Sequence, residues 1–487
     1  MSLNQTNRII LQSIGYFLPI CSIFTEKILI NNKRFIKYGN TGELLMSKQF
    51  SKKMLVFSIL LILIISTLSI SIELIKGTKC PNRELPDPLN VDMPLETTIF
   101  RRMSIREFTD SPISDEELST ILWAAYGLRE DGKRTVSPIN QEFAAVIYVF
   151  DENGVYAYEP MTHSLNVYLE GDHRDEINIL QYEAPIQLAL CWNNSLADSN
   201  QAGVELGQIG QNIQFSANAL GLGTVVTGQI PPAVDPVDLP DNHEGMILIP
   251  IGHPKTPYNF AERPLWFSVL PKMKVSTTSI STALNEFEQK NSYDRTLSDE
   301  EYSQILWSTY GFSPFIDRSE QEPIHLKRHR TTPSAHGYYP LNILFVNENG
   351  IYRYYPNLLI DVLLPFLQLT DAQVDLIGLP IVSYVKRIDK IDVRSDIAQL
   401  YDNPNLASAS MIVIPVLDLE KAKELSMESA MRFWYYEAGA VAQNVMLESA
   451  AWNLSTAIIY PVDSVELRTL LNQDETIIPM MMIPIGG

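Results

Sequence analysis

Residues Phe100 to Phe108 read Phe-Arg-Arg-Met-Ser-Ile-Arg-Glu-Phe and place Arg102, Ser104 and Arg106 at alternate positions. In an extended segment alternate side chains share a face. Two guanidinium groups and a hydroxyl would then point at one spot. That chemistry suits a phosphate, which arginine binds through paired, charge-assisted hydrogen bonds. The same three residues could equally form a solvated basic turn, and the segment alone does not decide between the two.

The surrounding elements are legible from periodicity and punctuation. Ser114-Asp115-Glu116-Glu117 is a capping box, followed at helical spacing by Leu118, Ile121, Leu122 and Ala125. Ala144–Phe150 is β-branched and aromatic. Asp151-Glu152-Asn153-Gly154 is a hairpin turn, and Val155–Tyr158 is the return strand. Ala184–Trp192 reads as a buried strand. Gly203–Leu220 carries Leu206, Ile209, Ile213 and Ala217 on one helical face, with Gly221 as its cap. Thr224–Thr227 and Met246–Ile251 complete a set of strands.

The same order then returns. Ser298-Asp299-Glu300-Glu301 repeats the capping box, and Leu306-Trp307-Ser308-Thr309-Tyr310-Gly311 repeats Leu122-Trp123-Ala124-Ala125-Tyr126-Gly127. Glu348-Asn349-Gly350-Ile351-Tyr352 answers Glu152-Asn153-Gly154-Val155-Tyr156. Glu437-Ala438-Gly439 with Gln443-Asn444 answers Glu205-Leu206-Gly207 with Gln211-Asn212, and Ile483–Gly486 answers Ile249–Gly252. Two copies of this length imply tandem domains that pack as a pseudo-dimer.

These residues resemble the FMN-dependent nitroreductase superfamily, in particular its azoline-oxidase-like branch. The resemblance covers about Asp92 to Gly487. It rests on Arg102–Phe108, the Gly132-Lys133-Arg134-Thr135 turn, the Glu205…Gln211-Asn212 helix, Leu220-Gly221-Leu222-Gly223, and Arg330-Thr331-Thr332-Pro333-Ser334-Ala335-His336-Gly337-Tyr338-Tyr339-Pro340. It implies an α+β fold: two nitroreductase-like domains, each a mainly antiparallel sheet flanked by helices, forming a pseudo-dimer with FMN at the interface. Aligned on the capping boxes, Arg102, Ser104 and Arg106 fall on Glu286, Glu288 and Lys290, and the Pro333–Gly337 loop falls on Ser137-Pro138-Ile139-Asn140-Gln141.

The resemblance implies one composite cofactor site. The first copy would supply Arg102, Ser104, Arg106, Gly223, Thr227, Gly228 and a trailing Arg263. The second would supply Pro333, Ser334, Ala335 and Gly337. The symmetry mate would lack both sets, with Glu286 and Glu288 facing the place of the phosphate. Backbone N–H groups near Gly223–Gly228 would stabilise charge on the reduced ring. No catalytic side chain is assigned, and the Glu205 and Glu437 helices read as packing elements. The Tyr338-Tyr339 and Trp434-Tyr435-Tyr436 stripes read as core or interface, His336 as a packing residue, and Lys133 and Arg134 as loop charges.

Composition narrows the remaining classes. The chain has 487 residues, 46% of them hydrophobic, which is enough for two domains, and a net charge of −20, which argues against nucleic acid. Cys21, Cys80 and Cys191 form no framework, and the seven histidines show no ligand spacing, so no metal is expected. Met54–Ile72 is charge-free and follows Lys52 and Lys53, as an uncleaved signal-anchor would. A cleaved signal peptide is the alternative. The expected organisation is a basic cytoplasmic segment at 1–53, a transmembrane segment at 54–75 and a proline-containing linker at 76–91. Domains then follow at 92–270 and 284–487, separated by a linker at 271–283. The globular part would lie outside the cytoplasm and act on a small-molecule substrate. The function expected is a membrane-anchored FMN oxidoreductase. The rival is a flavin-free binding or scaffold protein at the cell surface.

Overall fold

The computed structural model describes residues 82–139, 142–177, 182–228, 237–258, 260–262, 266–268, 270–313, 315–317, 330–358, 381–422 and 427–487. The chain divides into two units, Met1–Thr78 and Lys79–Gly487, and every described residue lies in the second. The segment at 1–53 and the span expected at 54–75 therefore lie outside the described residues, as do Cys21, Cys80, Arg263 and the His336 side chain. Among the described residues no helix is long and apolar enough to cross a membrane.

The first half opens with strand β1 (Arg83–Glu84) and helices α1 (Leu95–Arg101) and α2 (Asp115–Tyr126). Strands β2 (Ala145–Phe150), β3 (Gly154–Glu159), β4 (Ser164–Glu170) and β5 (Ile186–Asn193) follow. Then come helix α3 (Ser199–Ala219) and strands β6 (Gly223–Thr224) and β7 (His243–Gly252). The strand order is β1-β4-β3-β2-β5-β7-β6, and every pair is antiparallel. The capping box at Ser114 forms in full, with Ser114 accepting from the Glu117 N–H and the Glu117 carboxylate accepting from the Ser114 N–H.

Two short strands, β8 (Phe260–Glu262) and β9 (Trp266–Ser268), lead into the second half, within which β10 (Phe315–Asp317) turns back to pair with β8. That half opens with helices α4 (Ile280–Glu286) and α5 (Asp299–Tyr310), the latter again opened by a complete capping box. Strands β11 (Leu341–Asn347), β12 (Gly350–Tyr355), β13 (Ile381–Asp389) and β14 (Met411–Asp418) precede helix α6 (Met427–Ala451). The half ends with β15 (Ser455–Thr456), β16 (Ile477–Pro479) and β17 (Ile483–Gly486). The order β13-β12-β11-β14-β17-β15 matches β4-β3-β2-β5-β7-β6.

Each sheet packs its own apolar core against its long helix. Ile147, Leu188, Ile213 and Ile249 are buried in one, and Ile343, Val413, Val441 and Ile483 in the other. The two long helices, α3 and α6, pack on each other along the axis between the halves. Backbone approaches backbone there. A side chain on Gly207 would overlap the Tyr436 carbonyl, and one on Gly439 would overlap the Val204 carbonyl.

Polar groups at that axis exchange reciprocally. Gln211 Nε2 donates to Asn444 Oδ1 (2.8 Å) and to the Thr331 carbonyl (2.8 Å). Gln443 Nε2 donates to Asn212 Oδ1 (2.9 Å) and to the Thr135 carbonyl (3.2 Å). All four side chains are buried. Each bond contributes about 0.5–1.5 kcal/mol net, and leaving any partner unmet costs about 1–3 kcal/mol. The Gln-Asn pairs are thus packing elements, as the sequence predicts.

The expected linkers differ from the structure. Within 76–91, β1 pairs with β4, the Leu89 N–H donates to Thr120 Oγ1 and the Val91 N–H donates to Ser281 Oγ. Prolines supply no donors, but the residues between them do, and those donors find partners on α2 and α4. Within 271–283, Leu95 N donates to the Thr278 carbonyl and Ile280 N to the Met93 carbonyl, so the halves interlock there. β9 leaves the first half and pairs in parallel with β13 of the second sheet, so a boundary at 270 cuts after a strand that already belongs to the other sheet.

Candidate functional site

The segment after α1 runs beside β6: Ile105 N donates to the Thr224 carbonyl, and Gly223 leaves room for the Ile105 side chain. Met103 and Ile105 point into a small apolar cluster, so Arg102, Ser104 and Arg106 take the opposite side. Arg102 is buried, Ser104 half-buried and Arg106 exposed. Arg102 Nε donates to the carbonyl of Arg330 in the second half (2.8 Å), and its Nη1 donates to Gln214 Oε1 (3.0 Å). Among the described residues both acceptors are neutral. A buried cation without a carboxylate is costly. Burial accordingly lowers its pKa, and an anion at this place would relieve the cost.

The second half brings its loop to the same place. Arg330 stacks over the rings of Tyr310, Phe312 and Tyr339 at 4.9, 4.4 and 4.3 Å from their centroids. Pro333, Ser334 and Ala335 are half-buried, and Gly337 is exposed in the left-handed region with φ of 72°. Ser334 Oγ donates to Glu437 Oε2 (2.6 Å) and accepts the Tyr339 N–H (2.9 Å). The Tyr310 hydroxyl donates to Glu437 Oε1. Burial pushes the Glu437 carboxyl up to about 7, against the pull of Ser334, Tyr310 and Arg330. Thus Arg102 of one half and the Pro333–Gly337 loop of the other converge through the Arg330 carbonyl and Tyr339.

Other expected residues fare unevenly. Thr227 is buried, and both its N–H and its hydroxyl donate to the Leu248 carbonyl, so neither is a donor for a ligand. Gly228 is exposed, and a side chain there would meet the Phe433 ring of α6 at 2.8 Å. Arg263 lies outside the described residues. The turn cation Arg134 is no loose loop charge. It stacks on Tyr126 and Phe143 (4.2 and 4.8 Å) and donates to the Tyr126 carbonyl, whereas Lys133 is exposed as expected.

The symmetry mate needs a larger correction. Lys290 N donates to the Thr456 carbonyl, as Ile105 N does to that of Thr224. Arg102, Ser104 and Arg106 therefore correspond to Phe287, Gln289 and Asn291, one residue on from the alignment at Glu286, Glu288 and Lys290. The second half is one residue shorter between its helix end and its capping serine. Glu288 faces solvent and pairs with Lys133 (3.2 Å) and Lys290 (3.5 Å) rather than with a phosphate position. Phe287 is buried where Arg102 would stand. Arg129 lies over its ring at 4.7 Å and donates to its carbonyl. Ile139 is buried among core residues of the second half. This mate offers an aromatic ring in place of a cation and a buried isoleucine in place of the half-buried Ala335.

The residues at this place to which the sequence reading gives no site role are Tyr310, Arg330, Tyr339 and Glu437. The repeat of Tyr126 at Tyr310 and of Glu205 at Glu437 was the available signal. A separate cavity of about 850 Å³, lined by Leu89, Met93, Arg101, Phe260 and Val275 among others, includes none of the converging residues. Among the described residues no cluster of His, Cys, Asp or Glu could hold a metal ion.

The sequence profile of the nitroreductase family matches residues 99–253 and 292–487. A Methanocaldococcus jannaschii protein assigned as a nitroreductase is 32% identical over 165 residues, covering 30% of this chain and 82% of that one. A crystal structure from Anabaena variabilis, also described as a nitroreductase, aligns with a TM-score of 0.57 at 14% identity over 84% of this chain and 94% of that one, a likeness of fold. A Desulfovibrio desulfuricans structure in complex with FMN aligns over 33% of this chain and 87% of that one, at 19% identity and a TM-score of 0.26.

Proposed function

The chain belongs to the nitroreductase family of oxidoreductases, and from that premise we propose that it holds one FMN per chain in the composite site between its halves. Arg102, Ser104, Arg106 and Arg263 are the proposed phosphate ligands, with Gly223 and Gly228 lending main chain beside them, while Thr227, whose N–H and carbonyl both pair with Leu248, only packs there. Pro333, Ser334, Ala335 and Gly337 are the proposed clamp from the other half. The observation that carries this reading is Arg102: a buried cation, neutral acceptors only among the described residues, bonded across the halves to the carbonyl at the root of the Pro333 loop. When bound, the flavin would supply hydride chemistry. The chain's own residues bind and orient it and exclude water.

In this reading the two halves descend from a tandem duplication of an azoline-oxidase-like ancestor, and the matching strand orders support it. The segment 54–75 anchors the globular part outside the cytoplasm. Protease added to intact cells should then digest residues 81–487, and protection until lysis would refute that placement.

The flavin-free alternative is favoured by one observation: Ser334 and Thr227 already spend their hydroxyl hydrogens within the protein. An absorption spectrum and flavin quantitation on the purified full chain decide between the two. One FMN per chain is the expected result. A colourless protein that takes up no FMN, or one that takes up two, rejects the composite site.

A further inference from the structure

The two buried glutamates at equivalent places on the long helices differ in their partners. Glu205 accepts the Tyr126 hydroxyl at Oε1 (2.6 Å), and its other partners are the backbone N–H groups of Ala144 at Oε2 (3.0 Å) and Ala145 at Oε1 (3.3 Å). Backbone amides only donate, so that arrangement has one direction. Glu437 likewise accepts a tyrosine hydroxyl, from Tyr310, but its other oxygen meets a hydroxyl, Ser334 Oγ, at 2.6 Å. The residue at the place of Ser334 in the first half is Pro138, which has no side-chain hydrogen to exchange.

A hydroxyl carries one hydrogen and two acceptor positions. One acceptor position of Ser334 is filled by the Tyr339 N–H. When Glu437 is ionised, the Ser334 hydrogen points inward to the carboxylate. When Glu437 is protonated, its own hydrogen can fill the second acceptor position of Ser334. The serine hydrogen is then released toward whatever occupies the loop's open side.

We propose that Ser334 and Glu437 form a proton-dependent donor switch at the composite site, Ser334 offering its hydrogen to a bound group only when Glu437 is protonated. The bound group must present a lone pair, as a carbonyl oxygen or ring nitrogen does. Ser334 is then the contact and Glu437 the positioning residue. The proposal rests on the flavin reading for the identity of that group, but the switch itself does not.

The groups facing Glu437 are Tyr310 from α5, Ser334 from the loop and the Arg330 guanidinium stacked over Tyr310 and Tyr339. All three favour the carboxylate, and burial opposes them. The balance falls at about 7, so both positions of the switch are populated at neutral pH.

The test is an infrared titration of the ligand-free full chain between roughly pH 5 and 9, paired with FMN binding at both ends of the transition. A protonated-carboxyl band should disappear as pH rises through about 7 and be missing in Glu437→Gln. In Ser334→Ala it should persist to higher pH, because a bond that favours the carboxylate is gone. Relative to Ser334→Ala, which keeps the dependence brought by the FMN phosphate with its second pKa of about 6, wild type should bind FMN roughly five- to tenfold more tightly below the transition than above it. A band that Ser334→Ala leaves unmoved, or a wild-type-to-Ser334→Ala ratio of FMN affinities that does not change with pH, overturns the switch. A band that behaves as stated in a protein that binds no FMN supports the switch and rejects the flavin.

Discussion

The composite site and its symmetry mate are built by equivalent segments and have opposite contents. On one side Arg102 is buried against the Arg330 carbonyl, and Ser334 ends in a hydroxyl held by Glu437. On the other, Phe287 lies beneath Arg129, Pro138 replaces the serine, and Ile139 is sunk in the neighbouring core. Three differences of the same sense, cation against ring, hydroxyl against imino acid and small against large, separate the two sites. Such a distribution is what retention of one site by two halves produces. In the proposed reading each half keeps the segment the shared site needs from it and is released at the other. The Gln-Asn pairs on the axis show no such divergence, because Gln211, Asn212, Gln443 and Asn444 serve both halves at once.

The strongest way to break the comparison is to remove that axis. A Gly207→Leu substitution places a side chain where the Tyr436 carbonyl already stands. The α3–α6 approach must open, and both sites lose their walls. Overpacking against backbone is expected to cost about 3 kcal/mol or more, read as a lowered urea midpoint. An unchanged midpoint would mean that the helices can separate without consequence.

A narrower cut distinguishes the sites from each other. Arg102→Ala should weaken FMN binding by roughly ten- to a hundredfold, from the loss of a charge-assisted contact of about 1.5–3 kcal/mol. Phe287→Ala, at the equivalent position, should leave FMN affinity within about twofold while lowering stability by roughly 3–5 kcal/mol through the cavity it opens. Fluorescence titration with FMN and urea unfolding on both variants measure this. Equal effects on affinity would show that the two sites are not functionally distinct.

Much of this was legible in the sequence. Both capping boxes, the hairpin at Asp151–Gly154 and the repeated Glu…Gln-Asn helices form where local chemistry requires them, because each is specified by neighbours in the chain. The one-residue slip at Phe287 was not legible. It lies in a stretch whose register is set by β15, far along the sequence, so anchoring on the capping box carried the offset past it. The role of Glu437 was hidden for a related reason. Glu205 and Glu437 have the same local motif, and only the loops that meet them from elsewhere in the chain, one offering amides and the other a hydroxyl, make them different groups.

A further asymmetry gives the smallest effect. Glu96 on α1 and Glu448 on α6 are both buried at the interface between the halves, at positions occupied by Ser281 and Ser216 on the other side. Glu96 Oε2 accepts the Ser276 N–H and hydroxyl (both 3.0 Å), and Glu448 Oε1 accepts from Trp452 Nε1 (3.0 Å). Burial raises both carboxyls above the ordinary glutamate range, and the proximity of Glu96 raises Glu448 further. The folded protein therefore holds protons here that the unfolded chain releases. Their contribution to stability is full below the ordinary glutamate value near 4.5 and is lost as pH rises through the raised values. A Glu448→Gln substitution keeps the size, removes one titrating group and cannot acquire the buried charge. Urea unfolding between roughly pH 5 and 9 should show wild-type stability declining with pH and the variant declining less, by on the order of 1 kcal/mol at the alkaline end. Ser216→Ala, on the other side of the axis, should leave the slope as it is. If Glu448→Gln retains the wild-type slope, the protons lost on unfolding belong elsewhere, and the two sides of the axis differ in their active-site segments alone.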